Sequence, residues 1–427
     1  MPILPERKTS DSNRFLPWPK RVDVTLLSFL AMVIAYCDRV NLSMAAPMIM
    51  REYHWDTVQM GWVLSGFFMG YTFLMIPVGR LVDLFGPRRV FAASMAWWSV
   101  FTAVTPLARS VVGLTIMRAV MGVGQCSAIP AINRALVNWF PRREYSRAFG
   151  FSYSGSFAGP ILAFPLASLL LQAFGWRSVF FAFAFLGFFW LPLWVRGVSD
   201  RPESCSSIKQ AELDTILSER PHLPSIEKVP WLKLLRLPPY WGLLMLHFSS
   251  NWFIYVIVSW LPSYLMLERH FSLANTTIGS TLPFATALLS CNFWSALIDH
   301  ASKKRPRTLV RKLFLLPFAC AGGLLLMIPR VSSPIATVFF LCIALMLYSS
   351  VISIYTSGSV EIAPRYAGTV GGIQNCFGNF AGVLVPVIVG YVVKISNWGN
   401  AFWVTAAVTW LGIMVYAIFG KSEKLLD

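Results

Sequence analysis

The sequence predicts an all-α polytopic membrane protein with about twelve transmembrane helices, arranged as two six-helix halves that repeat in parallel. Three observations support this fold class: an apolar composition, apolar segments of spanning length, and an internal repeat. Of the 427 residues, 56% are hydrophobic and only 13% are charged, whereas a soluble domain carries about 25% charged residues. The composition therefore excludes an ordinary soluble domain.

The apolar segments are each long enough for a helix that crosses a bilayer, which needs about 20 residues. They begin near residues 24, 57, 89, 110, 148 and 176, and after a polar stretch near residues 238, 276, 312, 334, 367 and 399. Two segments, 110–140 and 334–362, are longer than one span requires. We expect five regions: an N-terminal segment (1–20), a first half (21–198), a central loop (199–236), a second half (237–420) and a tail (421–427).

The internal repeat relates the last three helices of the two predicted halves. Phe140-Pro141-Arg142 is followed 223 residues later by Ala363-Pro364-Arg365, and the segment Gly155 to Gly159 is followed at the same offset by Gly378 to Gly382. A third pair, Trp176 and Trp398, is 222 residues apart. Parallel halves are the plan of large secondary transporters, whose substrate site lies between the halves near the midplane.

The basic residues predict the orientation of the helices. A formal net charge of +17 would also suit a nucleic-acid-binding protein, but most of this charge falls in short loops that alternate between the two sides. Loops rich in Lys and Arg face the cytoplasm, so both termini are predicted to be cytoplasmic, and a bacterial inner membrane is expected. The loops on that side contain Arg88-Arg89, Arg142-Arg143, residues 199–236 and Lys303-Lys304-Arg305. Within the central loop, 208–219 predicts either a short amphipathic helix at the membrane surface or a solvated linker.

Nothing in the sequence indicates an enzyme, a cofactor or a metal site. The chain contains neither a G-x-x-x-x-G-K-[ST] phosphate loop nor an H-E-x-x-H pattern. Six of the seven cysteines lie in or beside apolar segments, and their spacings suggest neither a disulfide nor a metal site.

The first apolar segment contains an acid and an arginine side by side, Asp38 and Arg39. Each costs about 2.5–3.5 kcal/mol at the centre of a membrane helix on insertion scales. Arg39 is therefore predicted to bind the anionic group of a substrate, and Asp38 is predicted to titrate; the alternative is a buried pair that only braces the helix. At about 100° per residue, Tyr36 and Ser43 share the face of Arg39, and Asp38 points roughly a quarter-turn away.

Other polar residues at membrane depth are candidates for the same site. Arg118 and Gln125 lie on one face of the fourth helix, where Arg118 could pair with Asp38. Tyr71 in the second helix could donate its hydroxyl to a carboxylate, or could simply pack. In the second half, Asn375 is favoured as a ligand contact because glycines flank it, and the stripe of His247, Asn251, Tyr255 and Ser259 suits a ligand or interhelical hydrogen bonds equally. No arginine lies inside the predicted helices of the second half, which argues against a dicarboxylate held at both ends.

The loop between the second and third helices carries a recognisable motif. Gly79-Arg80-Leu81-Val82-Asp83 is followed by Gly86-Pro87-Arg88-Arg89, which resembles the G-x-L-x-D-x-x-G-R-[KR] signature of the major facilitator superfamily. The resemblance implies gating roles for Gly79, Asp83, Arg88 and Arg89, which would latch the cytoplasmic side when the transporter opens outward. Gly79 would let a neighbouring helix approach closely.

A narrower resemblance covers nearly the whole chain. The segments Tyr36 to Ser43, Trp139 to Ala148, Asn251 to Leu265 and Ile362 to Gly368 are similar to the anion:cation symporter branch, which includes bacterial permeases for hexuronate, galactonate, glucarate and phthalate-type acids. This resemblance implies an organic-anion substrate. In that branch a glutamate usually follows the fourth-helix arginine by seven residues and takes part in proton coupling, whereas this chain has Gln125. Asp38 is therefore the main candidate for a proton carrier.

These observations predict a secondary active transporter of a small organic anion, a sugar acid or another carboxylate, that works by alternating access with proton symport. Its partners would be the anion, a proton and the lipid bilayer, without nucleic acid. Arg39, Tyr36, Tyr71, Gln125 and Asn375 would bind the substrate, and Asp38 with Arg118 would couple the proton. The alternatives are a potential-driven uniporter or an exchanger of organic anions, or an anion sensor on the same fold.

Overall fold

The computed structural model describes residues 18–219 and 230–426, and within them the chain is helical and has no strand. The first six long helices are α1 (Lys20–Tyr53), α2 (Thr57–Phe85), α3 (Pro87–Leu107), α4 (Val111–Trp139), α5 (Arg142–Phe174) and α6 (Trp176–Gly197). The second six are α7 (Pro238–Glu268), α8 (Leu273–Ser302), α9 (Arg307–Arg330), α10 (Pro334–Ile362), α11 (Ala367–Ile395) and α12 (Trp398–Phe419). Eleven of the helices in the described ranges are long and apolar enough to cross a membrane; α1, with 34 residues, carries the Asp38-Arg39 pair.

Helix packing repeats between the two halves. In the first half α1 packs against α5 and α6, α2 against α4, and α3 against α4 and α6. In the second half α7 packs against α11 and α12, α8 against α10, and α9 against α10 and α12. Each contact in the second half is the first-half contact shifted by six helices, so the predicted fold class of two parallel six-helix halves is confirmed.

Two sharp connections depend on glycine. Gly86 alone joins α2 to α3 with a φ of 84°, and Gly175 alone joins α5 to α6 with a φ of 77°. Side-chain-bearing residues rarely adopt this left-handed region. These glycines therefore allow long helices to reverse direction within a single residue.

The two segments that exceed one span are each interrupted near the middle. In α4 the helix stops after Gln125 and resumes at Ala128, and in α10 a 3₁₀ turn spans Ser349–Val351. The interruptions lie 223 residues apart (349 − 126), the offset of the sequence repeat. They interrupt the regular helix at corresponding places in the two halves.

Helix α9 begins earlier than the apolar pattern predicts, at Arg307 instead of near residue 312. The expectation that the second-half helices contain no arginine is therefore wrong, because Arg311 lies inside α9 and is only 7% exposed. Its guanidinium donates to the backbone carbonyl of Ile354 (3.0 Å), to Ser357 (2.8 Å) and to the carboxylate of Glu361 on α10. This buried ion pair lies at the ends of α9 and α10, remote from the middle of the helices.

The two halves touch at one face of the molecule and separate at the other. We call the face on which α1 begins the proximal face and the opposite face the distal face. From the distal end inward, α2 contacts α11 through hydrogen bonds from Thr57 to Gly390 (2.6 Å), from Ser65 to Val383 (2.6 Å) and from Thr72 to Asn379 (3.4 Å). Further along the same helices, a Cβ at Gly79 or at Gly372 would meet no atom within 4 Å. The structure is therefore closed at the distal face and open at the proximal face.

A short helix of the central loop, Gln210–Ser218, docks on the first half, and we call it the connector helix. The carboxylate of Glu212 accepts hydrogen bonds from the backbone N–H groups of Lys20 and Arg21, both at 3.0 Å. Ile216 of this helix is fully buried. The 208–219 segment thus forms the predicted short helix, which contacts the protein itself. A second short helix, Trp231–Leu235, leads into α7; residues 1–17 and 220–229 and residue 427 lie outside the described residues.

Candidate functional site

Arg39 lies in an aromatic pocket between α1 and α2. Its guanidinium carbon is 4.6 Å from the ring centre of Tyr36, 4.7 Å from that of Tyr71 and 5.0 Å from that of Phe67. Rings at these distances attract a cation through their negative faces. The side chain is 8% exposed. Phe68, next to Phe67 in this wall, packs on the ring of Tyr255 of α7 with centroids 4.4 Å apart, so the pocket lies beside the second half.

Close packing of α2 and α4 places the aromatic wall of this pocket. A Cβ at Gly70 would lie 1.9 Å from the carbonyl oxygen of Ala119, and a Cβ at Gly122 would lie 2.1 Å from that of Phe67. Only glycine permits backbones to approach this closely. The close approach brings Phe67 and Tyr71 of α2 and Arg118 and Gln125 of α4 to the same side of α1.

Gln125 holds Arg39 in place. Its Oε1 accepts a hydrogen bond from Arg39 Nε at 2.9 Å, and its Nε2 donates to the backbone carbonyl of Ala35 at 3.2 Å. Tyr71 also lies beside the guanidinium as a hydrogen-bond partner. The amide of Gln125 is thus engaged at both ends, so in this conformation Gln125 positions the arginine and leaves the rest of the guanidinium to another partner.

Asp38 points away from Arg39, toward α3. Its Oδ1 accepts from Asn41 Nδ2 at 3.5 Å, and its Oδ2 is buried without a hydrogen-bond partner. Trp98 and Thr102 face this carboxyl group from α3, and their side-chain donors are the groups placed to hydrogen-bond it. The quarter-turn separation predicted from helical geometry places Asp38 and Arg39 in different surroundings.

Arg118 contacts the backbone of Asp38. Its Nη1 donates to the Asp38 carbonyl oxygen at 3.1 Å and to Asn41 Oδ1 at 3.4 Å, and the side chain is 2% exposed. Neither Arg118 nor Arg39 forms an ion pair with a carboxylate of the described residues. The buried core of the first half therefore contains two guanidinium groups and one carboxyl group.

The second half contributes polar side chains from three helices. Tyr255 of α7 donates to Asn379 Oδ1 of α11 at 2.5 Å, and Asn379 in turn donates to Asn375. Gln374 donates to the carbonyl of Tyr355 at 2.7 Å, and the Tyr355 ring stacks on that of His247 with centroids 4.1 Å apart. Asn375 is half-buried, whereas Asn379 and His247 are buried. His247 thus packs and bonds inside the second half.

The polar core holds no ready metal site. Within residues 18–219 and 230–426, no three His, Cys, Asp or Glu side chains come together in a way that could hold a metal ion. The chemistry of the core is that of hydrogen-bond donors and positive charge.

The sequence matches the family model described as Major Facilitator Superfamily over residues 28–386. The chain belongs to the Major Facilitator Superfamily. This membership confirms the predicted family and assigns the chain to membrane transporters that are not enzymes. It also agrees with the parallel repeat of helix packing, which the structure shows independently of the sequence match.

Relatives within the superfamily are named for different substrates. "Sodium-dependent phosphate transport protein 1, chloroplastic" of Arabidopsis thaliana is 32% identical over 98% of this chain and 83% of its own length. "Ascorbate transporter, chloroplastic" of the same plant is 32% identical over 96% of this chain and 77% of its own length. A crystal structure of a bacterial homologue of the human lysosomal transporter Spinster, in an inward-facing and unoccupied conformation, shares the fold with a TM-score of 0.73 at 15% identity, covering 94% of this chain and 97% of that one.

The superfamily motif at the α2–α3 turn contacts its own half in this structure. Asp83 lies 3.7 Å from Arg134 of α4, and Arg88 donates through Nε to the carbonyl of Val195 at 3.0 Å. Arg89 is exposed. The close helix approach expected at Gly79 is absent, because the two halves are apart at the proximal face and α11 does not reach this glycine.

Sequence reasoning missed several residues that build the site. Phe67 forms one wall of the Arg39 pocket, and Trp98 and Thr102 surround Asp38. Each lies in an apolar run, where an aromatic residue or a threonine gives no signal of its own. Asn379 lies four residues after Asn375, a spacing that places both amides on one face of the helix and could have revealed their hydrogen bond.

Proposed function

We propose that the chain is a secondary active transporter that moves a small organic anion by alternating access, with a proton as co-substrate. The observation that supports this proposal best is the excess of buried positive charge in the first half, two guanidinium groups against one carboxyl group. A buried charge without a partner is costly. An anionic ligand beside Arg39 would neutralise the excess, and two relatives are named for the anions phosphate and ascorbate.

The proposed ligand site lies between the halves. Arg39 would bind the carboxylate with its planar fork of donors, Tyr36 and Tyr71 would orient it through their hydroxyls, and Gln125 would hold the arginine. Asn375 would contact the ligand from the second half. A sugar acid or similar hydroxylated carboxylate suits this mixture of one cation and several neutral polar groups.

Asp38 is the proposed proton carrier. Its carboxyl group is fully buried and forms no ion pair within the described part of the chain, and burying an unpaired charge costs much more than burying a neutral acid. Gln125 cannot carry a proton, so the residue that titrates must lie elsewhere, and Arg118 beside Asp38 would respond to its charge.

Alternating access would be a rocking of residues 21–198 against residues 237–420. The observed structure would be the state open to the proximal face. Gly79, Asp83, Arg88 and Arg89 would engage the second half when that face closes, at which point Asp83 would leave Arg134. We propose that the proximal face is cytoplasmic because the basic loops lie there, and that the chain resides in a bacterial inner membrane.

Binding is tested by the melting temperature of purified protein with sugar acids, aromatic acids, phosphate and neutral sugars. A ligand that binds the folded state raises the melting temperature by mass action. We expect one class of acid to stabilise the wild type, Arg39→Ala to lose the shift, and Arg330→Ala, which removes an exposed arginine, to keep it. An unchanged response of Arg39→Ala would overturn the proposed anchor.

Coupling is tested by flux of that ligand in proteoliposomes under separate pH, sodium and potential gradients. Proton symport predicts accumulation driven by a pH gradient at fixed potential, and its loss in Asp38→Asn. A uniporter or exchanger is favoured by the glutamine at position 125 and predicts no response to the pH gradient. A sensor on the same fold predicts binding without flux.

A further inference from the structure

Three side chains of the second half form a continuous hydrogen-bonded relay. The hydroxyl of Tyr255 on α7 donates to Oδ1 of Asn379 on α11 at 2.5 Å. Nδ2 of Asn379 donates to Oδ1 of Asn375 at 2.8 Å and to the backbone carbonyl oxygen of Asn375, also at 2.8 Å. Tyr255 and Asn379 are buried, whereas Asn375 is half-buried. The relay thus begins in the interior of the second half and ends at a side chain that a ligand can reach.

The backbone carbonyl of Asn375 determines the direction of every hydrogen bond in the relay. A carbonyl oxygen can only accept, so the Asn379 atom 2.8 Å from it must be the amide nitrogen. The oxygen of that amide, Oδ1, therefore faces Tyr255, whose hydroxyl must donate to it. The second N–H of Asn379 must in turn meet an acceptor on Asn375, which is Oδ1.

One consequence concerns the free end of Asn375. With Oδ1 occupied by Asn379, both N–H groups of Nδ2 remain, and they form no hydrogen bond within the described part of the chain. An asparagine that could rotate freely would offer either a donor or an acceptor to a ligand. Held by the relay, Asn375 presents both N–H donors of Nδ2 in a fixed orientation, beside at most one remaining lone pair of Oδ1.

The relay lies beside the Arg39 pocket. The ring of Tyr255 packs on that of Phe68 with centroids 4.4 Å apart, and Phe68 adjoins Phe67, which forms one wall of the pocket. Thr72 of α2 donates to the backbone carbonyl of Asn379 at 3.4 Å. A ligand whose anionic group binds Arg39 would therefore extend toward the donors of Asn375.

We propose that Tyr255 and Asn379 are positioning residues that fix the amide of Asn375 as a donor, and that the site therefore selects anions with an oxygen acceptor away from the anionic group. The inference rests on the proposed function of the cavity between the halves. A hydroxyl, carbonyl or phosphoryl oxygen satisfies the Asn375 donors. A hydrocarbon chain leaves them without a partner when it displaces water, which costs binding free energy.

The simplest alternative role for the relay is to brace α7 against α11. Tyr240 offers a matched control, since its hydroxyl also donates from α7 to α11, at 3.3 Å to the carbonyl of Val370. Tyr240→Phe and Tyr255→Phe both remove one buried tyrosine hydroxyl between these helices. Only Tyr255→Phe removes a hydrogen bond of the relay that holds the amide of Asn375.

The experiment compares the affinities of two six-carbon monocarboxylates, D-gluconate and hexanoate, for purified protein by calorimetry. Wild type and Tyr240→Phe are expected to bind gluconate more tightly. Tyr255→Phe and Asn379→Ala are expected to reduce the gluconate preference by roughly two- to tenfold, the effect of one neutral hydrogen bond, without weakening hexanoate binding. Asn375→Ala is expected to reduce the preference by a similar factor. Asn375→Asp, which replaces the donors by a charged acceptor, should abolish the preference.

Equal affinity for the two acids in wild type, absence of gluconate binding, or an unchanged preference in both Tyr255→Phe and Asn379→Ala would overturn the inference. A preference lost equally in Tyr240→Phe would assign the relay a bracing role and would also overturn it. The proposed function fails separately, if Arg39→Ala binds every acid as the wild type does. Melting temperatures without ligand identify any variant that is destabilised. If either Tyr255→Phe or Asn379→Ala is destabilised, the other variant alone is used to test the inference.

Discussion

The pairing of Arg39 with Gln125 is the residue-scale feature that most affects the charge of the site. Gln125 accepts from Arg39 without neutralising it, so the guanidinium keeps its full charge for a ligand. A glutamate in this position would supply the counter-charge itself. The glutamine at position 125 therefore leaves the charge of Arg39 available to an anionic ligand.

Gln125→Glu is therefore expected to weaken anion binding by roughly tenfold near neutral pH, since the arginine would exchange a charge-assisted bond to the ligand for one already made inside the protein. Protonation of the new carboxyl group restores a neutral side chain. The anion affinity of the Gln125→Glu variant should therefore recover as the pH falls and decrease again as the pH rises. Calorimetric titration of the ligand identified by melting temperature, repeated across pH, measures this.

Gln125→Leu is the matched control for that substitution. It removes the hydrogen bonds to Arg39 and Ala35 without adding charge, so binding should weaken by a similar or smaller factor at every pH. A pH-dependent loss in the leucine variant, or a pH-independent loss in the glutamate variant, would show that the charge on Arg39 is not what Gln125 controls.

The charged and amide residues of the site could be identified from the sequence because each is rare at membrane depth. Helical spacing also placed Asp38 and Arg39 in different surroundings and put Arg118 and Gln125 on the same face. The contacts themselves could not be predicted. The Arg118 guanidinium reaches a backbone carbonyl of α1, and no sequence pattern specifies a backbone acceptor on another helix.

At the scale of single elements, the connector helix caps the first membrane helix. The first backbone N–H groups of a helix have no partner inside it, and at α1 the carboxylate of Glu212 accepts two of them. The positive end of the helix dipole adds a favourable interaction with the negative charge. A residue almost 200 positions later thus supplies the cap that Pro19, directly before α1, cannot supply.

Glu212→Ala is expected to lower the free energy of unfolding by about 1 kcal/mol, the usual cost of a lost helix cap, and to lower the melting temperature in detergent. Glu212→Gln should retain most of the stability because the amide oxygen still accepts. Asp214→Ala removes an equal charge from the same short helix, where its carboxylate accepts from the exposed Gln210 as its one hydrogen bond within the described residues. Equal destabilisation by Asp214→Ala and Glu212→Ala would contradict the capping role.

Helix positions followed from apolar run lengths to within a few residues, but helix ends did not. Arg311 was assigned to a loop because the apolar run begins after it, whereas its buried partner Glu361 allows α9 to start at Arg307. A charged residue can be brought inside a helix by a partner on another helix, and a single-sequence pattern does not contain that partner. The breaks in α4 and α10 were visible only as excess length.

At the scale of the whole molecule, the sequence predicts two similar halves related by pseudo-symmetry. It does not predict at which face of the molecule the two halves are in contact. The facing surfaces of α2 and α11 contain glycines that fit close contact along their whole length. In the structure they meet only in the distal half: a Cβ at Gly61 would lie 2.5 Å from the carbonyl of Pro386, whereas Gly79 has no neighbour. Because the surfaces of α2 and α11 can pack in more than one way, small free-energy differences decide which face of the protein is closed.

One such difference lies at the distal end of the α2–α11 contact. Lys394 of α11 donates to Asp56 Oδ2 at 2.8 Å, across the two halves. Asp56 is also the N-cap of α2, since its Oδ1 accepts from the backbone N–H of Gln59 at 2.9 Å. Burial alone would raise the pKa of Asp56, but the hydrogen bonds from Lys394 and the Gln59 backbone outweigh it and hold that pKa below its usual range.

Loss of the Asp56–Lys394 pair should favour the state that opens at the distal face. Asp56→Asn preserves the cap, because asparagine caps a helix as well as aspartate does, and removes the charge. An exposed ion pair contributes about 0.2–1 kcal/mol, so the open population should rise roughly 1.4- to 5-fold in Asp56→Asn and in Lys394→Gln. The distance between spin labels at Trp62→Cys and Tyr391→Cys, in a background without other reactive cysteines, measures this population.

The double variant and the pH response decide whether the two residues act as a pair. Asp56→Asn with Lys394→Gln should open the distal face no further than either single change, whereas additive effects would show independent roles. Because the pKa of Asp56 is lowered, the pair is present throughout the neutral range and is lost only as the pH falls through that lowered value, below about pH 4, the usual range of an aspartate. Acid should therefore open the distal face in wild type and leave Asp56→Asn unchanged. An identical acid response in both would place the titrating group elsewhere on the interface between the halves.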